Sequence, residues 1–115
     1  MPNPVIHFEV LGADADALQR FYAGAFDWQM QDVMDGGYYM VDAGSGIKGG
    51  VGAAPQGTGG QVTFYVEVED PAAALEKISK LGGKTIQEPM DVPNGPTIAL
   101  FADPEGHVVG LVKGM

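Results

Sequence analysis

An α+β fold of two βαβββ modules, forming a curved mixed sheet around a cleft, is predicted by three observations. Each half of the chain opens on a short run of alternating apolar residues, and each run is followed by a segment with helical spacing. Turn-forming residues then divide the rest of each half into three further short strands. The chain has 115 residues, 45% of them apolar, which is the usual size of one domain able to bury one core. Its eighteen glycines and eight prolines are spread along the length and read as punctuation between short elements.

The first module is expected over residues 1–54. Ile6, Phe8 and Val10 share one face of an opening strand, Ile6 to Leu11, and His7, Glu9 and Leu11 share the other, because strand side chains alternate. From an N-cap at Asp14 or Asp16, Ala17, Leu18, Phe21, Tyr22, Ala25 and Phe26 follow three-and-four spacing, so a helix ends near Asp27. Trp28 to Val33, Tyr38 to Val41 and Ile47 to Ala53 are three antiparallel strands, separated by Asp35-Gly36-Gly37 and Gly44-Ser45-Gly46. Residues 55–61 are the linker, since Pro55 to Gly60 has neither periodicity nor large apolar groups.

The second module, residues 62–115, repeats the order. Val62, Phe64, Val66 and Val68 alternate with polar residues, Asp70-Pro71 opens a helix carrying Leu75, Ile78 and Leu81, and Gly82-Gly83 stops it. Strands follow around Thr85 to Gln87, from Thr97 to Ala102, and after the turn Asp103-Pro104-Glu105-Gly106 to Val112. A shift of 56 positions carries His7-Phe8-Glu9-Val10 onto Thr63-Phe64-Tyr65-Val66 and Asp14 onto Asp70. Each helix should cover the face bearing Ile6, Phe8 and Val10 or Phe64, Val66 and Val68, leaving His7, Glu9, Thr63 and Tyr65 to line a concave space.

Composition excludes several classes of function. Without cysteine there is no disulfide framework, thiolate metal site or thiol nucleophile. A formal charge of −9 repels nucleic acid and anionic lipid, which need a Lys/Arg surface to replace their counterions. The start lacks a basic segment followed by an apolar one, and no run approaches the roughly 20 apolar residues that cross a bilayer, so a cytoplasmic location is expected. The glycines of Gly44-Ser45-Gly46-Ile47-Lys48-Gly49 do not open a helix, so they are no dinucleotide fingerprint.

His7-Phe8-Glu9, Phe21-Tyr22, Phe26-Asp27-Trp28, Gly49-Gly50, Tyr65-Val66-Glu67-Val68-Glu69-Asp70, Leu81-Gly82-Gly83-Lys84 and Asp103-Pro104-Glu105-Gly106-His107 occur in this order over nearly the whole chain. Together they resemble the vicinal oxygen chelate (glyoxalase/bleomycin resistance/dioxygenase) superfamily, in particular its small lactoylglutathione-lyase-related proteins. The resemblance implies a homodimer. For metal-dependent members it implies one ligand on the first and one on the fourth strand of each half, holding a divalent ion that polarises substrate oxygens. Here those positions carry His7, Thr63 and Gly110, with only Lys48 as a polar side chain in Ile47 to Val51. Glycine has no ligand atom, threonine has a neutral hydroxyl and lysine repels a cation, so the metal site reads as degenerate. No cofactor is expected. Weak ion binding at His7 and Glu9, which share a strand face, stays open.

The expected partner is a small molecule, cationic or aromatic, with His7 and Glu9 as the candidate acid and base. Trp28 and Tyr39, the latter from the pair Tyr38-Tyr39, offer flat surfaces with polar tips. Thr63, Tyr65 and Phe101 complete the expected ligand-contacting set, while Phe8, Phe21, Phe26 and Phe64 are assigned to packing and His107 to structure. The leading expectation is a metal-independent binding protein. The alternatives are a lyase, isomerase or dioxygenase-like enzyme using His7 and Glu9, with or without a divalent metal, and an interaction domain whose cleft is filled by its own side chains.

Overall fold

A computed structural model describes residues 2–55 and 59–114; three residues of the expected linker, 56–58, lie outside the described residues. By internal contacts the chain falls into two compact units, His7–Thr63 and Phe64–Met115 together with Met1–Ile6. Both have the order βαβββ, so the fold is α+β as expected. The first unit is built on β1 (Val5–Gly12), α1 (Ala15–Phe26), β2 (Gln29–Asp32), β3 (Tyr38–Asp42) and β4 (Lys48–Ala53). Its strands lie in the order β2-β3-β4-β1. β1 runs parallel to β4, and β2, β3 and β4 are antiparallel. The second unit is built on β5 (Gln61–Glu67), α2 (Pro71–Lys80), β6 (Lys84–Asp91), β7 (Thr97–Ala102) and β8 (Val108–Lys113), in the order β5-β8-β7-β6.

The helix boundaries have local causes. The Asp14 carboxylate accepts from Ala17 N at 3.0 Å and satisfies one orphan donor of α1, which selects Asp14 over Asp16 as the N-cap. α1 ends where Asp27 turns left-handed at φ 58 and its N–H reaches Ala23 O. At α2, Asp70 caps Ala73 N at 3.1 Å and Pro71 stands at the first helical position, where its missing N–H costs nothing. Gly82 takes φ 102 and Gly83 N returns to Ile78 O at 2.9 Å, so the glycine pair closes the helix as its position implied.

In the first unit α1 covers the β-sheet face carrying Val10, Val41 and Val51, with Phe8, Leu18, Tyr22, Trp28 and Met30 packed around them. In the second, Leu75 of α2 meets Ala99 and Leu111, flanked by Val66, Val68, Ala74, Ile78 and Phe101. Two expectations are corrected. The alternation placed Phe64 under a helix, yet Phe64 is 42% exposed and Val62 74%, because the helix-covered stretch of β5 begins only at Val66. The strand read around Thr85 to Gln87 runs on to Asp91 through Pro89; β6 is the outer strand of its unit and has register shifts on both sides of Gln87, where a residue lacking an N–H is tolerated. Among the described residues no helix is long and apolar enough to cross a membrane.

Candidate functional site

The side chains opposite α1 are set by pairing. Glu9 lies beside Gly50 and His7 beside Lys48 in the parallel β1–β4 register, and Tyr38 lies across from Gly52 on β4. Directly paired residues share a sheet face, so His7, Glu9, Lys48, Gly50, Gly52 and Tyr38 project away from the α1 core. The two glycines make room for the tyrosine. A methyl group at Gly50 would lie 1.8 Å from Tyr38 Oη, and one at Gly52 would lie 2.4 Å from Tyr38 Cδ1. The ring therefore lies flat over β4 and carries its hydroxyl toward β1.

That hydroxyl is within hydrogen-bond reach of both residues singled out on β1. Tyr38 Oη donates to Glu9 Oε2 at 2.9 Å and lies 3.1 Å from His7 Nε2. A phenol has one proton, and an ionised carboxylate only accepts. With that proton directed to Glu9, the contact with His7 is a hydrogen bond when the imidazole carries its proton on Nε2, and in that tautomer the three side chains form one line. His7 is only 4% exposed, and burial holds its pKa below the ordinary 6.5. Glu9 is half-buried. On the same face Lys48 Nζ lies 3.7 Å from Asp42 Oδ2, an exposed and therefore weak pair.

A neutral, buried histidine carries a consequence for stability. Because the folded-state pKa is depressed, the unfolded chain binds the His7 proton more readily, and stability rises with pH through this group. Its contribution is complete above about pH 6.5 and is lost as pH falls through the folded-state value. Melting curves between pH 8 and 5 should show the wild type losing more stability than His7→Gln; parallel losses would contradict a buried neutral imidazole.

The other expected site residues are placed differently. Trp28 stacks on Tyr22, with centroids 5.7 Å apart and planes 9° apart, and meets Phe8 and Phe26 at 5.3 Å, all on the α1 side. Tyr39 pairs with Val51 of the α1 core and so points away from Tyr38; desolvation and the carboxylates of Asp32 and Asp16 hold its phenol above its ordinary pKa. Phe101 packs against the Leu75 cluster under α2. Thr63 and Tyr65 are buried, at 6% and 7% exposure. The Tyr65 ring lies across Gly110, its register partner, where a methyl group would come within 2.3 Å of ring carbon. His107 is in the β7–β8 turn, where its backbone N–H donates to Asp103 at 2.9 Å.

The structure thus brings His7 and Glu9 together through a third residue, Tyr38, which alternation alone did not assign. The available signal was the pair Gly50 and Gly52, two residues apart on a strand, which leaves a strip that an aromatic ring on the neighbouring strand can cover.

These residues do not fit the divalent ion of metal-dependent relatives. In the first unit the Tyr38 hydroxyl lies 3.1 Å from His7 Nε2 and over Gly50 of the fourth strand, whose one polar side chain near that position is the cationic Lys48. In the second the Tyr65 ring fills the space over Gly110. Among the described residues no three His, Asp or Glu side chains gather where one ion could be held.

The model of the Glyoxalase/Bleomycin resistance protein/Dioxygenase superfamily matches residues 5–111. The chain belongs to this superfamily. As a superfamily member it is 28% identical to the anthracycline biosynthesis protein DnrV of Streptomyces peucetius, over 91% of this chain and 45% of that protein. It is 26% identical to a glyoxylase-like domain-containing protein of Didymella fabae, over 86% of this chain and 84% of that one. The chain therefore spans less than half the length of DnrV. Among solved structures, a hypothetical protein from Bacillus halodurans (BH1468) superposes with a TM-score of 0.74 at 16% identity, covering 100% of this chain and 96% of that one. Methylmalonyl-CoA epimerase from Mycobacterium tuberculosis superposes with a TM-score of 0.71 at 15% identity, covering 96% and 87%. These two likenesses support the fold.

Proposed function

We propose that this superfamily member binds a small molecule without a metal ion, on the β-sheet face of the first unit that carries His7, Tyr38 and Glu9. The observation that carries the reading is the Tyr38 hydroxyl, bonded to Glu9 Oε2 and within reach of Nε2 of His7, the one side chain at the expected ligand positions of the first unit that could hold an ion. The Tyr38 hydroxyl holds the half-buried Glu9 carboxylate in one orientation, and pockets depend on a few such fixed polar groups. The ligand is expected to be cationic or aromatic, in keeping with the charge of −9. A homodimer completes the reading: DnrV is more than twice the length that this chain spans, which is room for two such chains. The cytoplasm suits a chain with no cysteine to oxidise.

A second reading is acid–base catalysis by His7 and Glu9. It draws on the same line of hydrogen bonds, which joins a neutral imidazole to a carboxylate and suits proton transfer at neutral pH.

A fragment screen followed by 15N–1H correlation spectra distinguishes metal-free binding from chelation. Ligands that perturb the amides of residues 7–9, 38 and 50–52 should do so equally with and without millimolar EDTA. Binding abolished by EDTA would overturn the proposal.

A further inference from the structure

The two helices hold corresponding places in the two modules. The shift of 56 positions that relates the modules carries Tyr22 of α1 onto Ile78 of α2, and each packs on the core of its own unit. The same shift carries Phe21 onto Lys77 and Gly24 onto Lys80. At α2 these lysines are exposed in the last turn, where cations favour a helix C-terminus. α1 has no basic residue in its last turn. Its exposed residues at this end are Phe21 at 64%, Gly24, Ala25 and Phe26 at 58%, and no residue from 21 to 26 is charged. The sequence assigned both phenylalanines to packing; Phe26 does meet Tyr22 and Trp28, but each keeps more than half of its surface in solvent. Gly24 is equally unaccounted for by its own chain. Glycine inside a helix is less stable than alanine, yet a methyl group there would meet nothing within 4 Å.

We infer that this end of α1 is the contact between two copies of the chain, with each Phe21 ring seated over Gly24 of the other copy across a two-fold axis. The inference rests on the homodimer proposed above and supplies its interface. An amphipathic helix ordinarily turns polar residues outward, and an exposed aromatic patch marks a surface that binds something. Charge and shape select the occupant. A chain of charge −9 repels an acidic partner, its own copy included, least where it presents an uncharged stretch. A basic partner finds no carboxylate to pair with between residues 21 and 26. The nearest charges on the preceding turn, Asp16 and Arg20, answer each other at 2.8 Å. A two-fold interface must be complementary to itself, and here an exposed ring and an open glycine stand three residues apart on one helix face. An aromatic side chain at the centre of such a contact carries much of its energy.

Phe21→Lys combined with Gly24→Lys gives α1 the surface that α2 already carries, so the fold should tolerate the pair, and a 15N–1H correlation spectrum reports whether it does. Sedimentation velocity from millimolar to submicromolar concentration should find the wild type dimeric and the α1 pair weakened at least about thirtyfold in its dissociation constant, as for loss of a central anchor. Lys77→Ala combined with Lys80→Ala should leave dimerisation unchanged. Because the chain has no cysteine, Ala17→Cys takes a single nitroxide label. Mixed with unmodified 15N-labelled protein, it should broaden amides of residues 21–26 and not those of 73–80. A wild-type dimer that the α1 pair does not weaken, or broadening that falls away from α1, would overturn this interface and leave the homodimer standing. A wild type that is monomeric throughout would overturn both and give the α1 face to a different partner. Small-molecule binding at His7, Tyr38 and Glu9 is measured separately and depends on neither result.

Discussion

Gly110→Ala is expected to destabilise the chain by about 3 kcal/mol, the upper part of the range for overpacking a tight core. The added methyl would fall 2.3–2.7 Å from Cδ2, Cε2 and Cγ of Tyr65. Contact with Cγ means that the base of the ring is struck as well as its tip. Tyr65 is 7% exposed and has little space into which to swing. Urea unfolding should show a lower midpoint with an unchanged slope. Tyr65→Ala in the same background separates the clash from other causes: the double variant should be less destabilised than the sum of the two singles by at least about 1 kcal/mol, the coupling expected of touching residues. Additive effects would contradict the packing described. Gly110 also stands at the fourth-strand position where the family resemblance implies a ligand in metal-dependent members, and here it serves as the floor for the Tyr65 ring.

The second large effect belongs to α2. Leu75 is 5% exposed and, with Pro71, makes up the fully buried part of the helix, so Leu75→Ala removes the principal side chain joining α2 to Ala99 and Leu111. The loss should be about 3 kcal/mol, combining lost transfer energy with the cavity left behind. Leu75→Met, which nearly conserves volume, should cost less than about 1.5 kcal/mol. Leu81 follows at the helix end and is 72% exposed; Leu81→Ala should stay within about 0.5 kcal/mol. If the three variants unfold at similar urea concentrations, the assignment of the α2 core is wrong.

Local chemistry explains what could be read in advance. Asp14, Asp70, Pro71 and the Gly82-Gly83 pair act through hydrogen bonds and backbone angles within a few residues of themselves, so they mark helix boundaries without knowledge of the rest of the fold. The order of elements along the chain, βαβββ in each half, was legible for the same reason. Burial was less so. Val62 and Phe64 fit the alternating pattern, but whether a residue is covered depends on where the helix ends in space, and at β5 cover starts at Val66.

The site divides along the same line. His7 and Glu9 share a face because they are two apart on one strand, a local fact. Their connection through Tyr38 depends on which strand lies beside β4 and in what register, a non-local fact. With Tyr38 and Tyr39 adjacent, a shift of one residue exchanges their faces, so the choice between them requires the pairing Tyr38↔Gly52. Trp28 and Phe101 have the surface of ligand-binding residues and the positions of packing residues, and only their contacts with Tyr22 and with the Leu75 cluster separate the two.

We propose that this superfamily member binds its ligand without a metal ion, at the face of the first unit that carries His7, Tyr38 and Glu9. Native mass spectrometry of untagged protein tests it most directly, recorded as purified, after dialysis against a chelator, and after addition of zinc, nickel or manganese. The account predicts no stoichiometric ion in any of the three states, and a dimer mass that chelation does not alter. An ion retained at one per chain or one per dimer, and lost from His7→Gln, would contradict it.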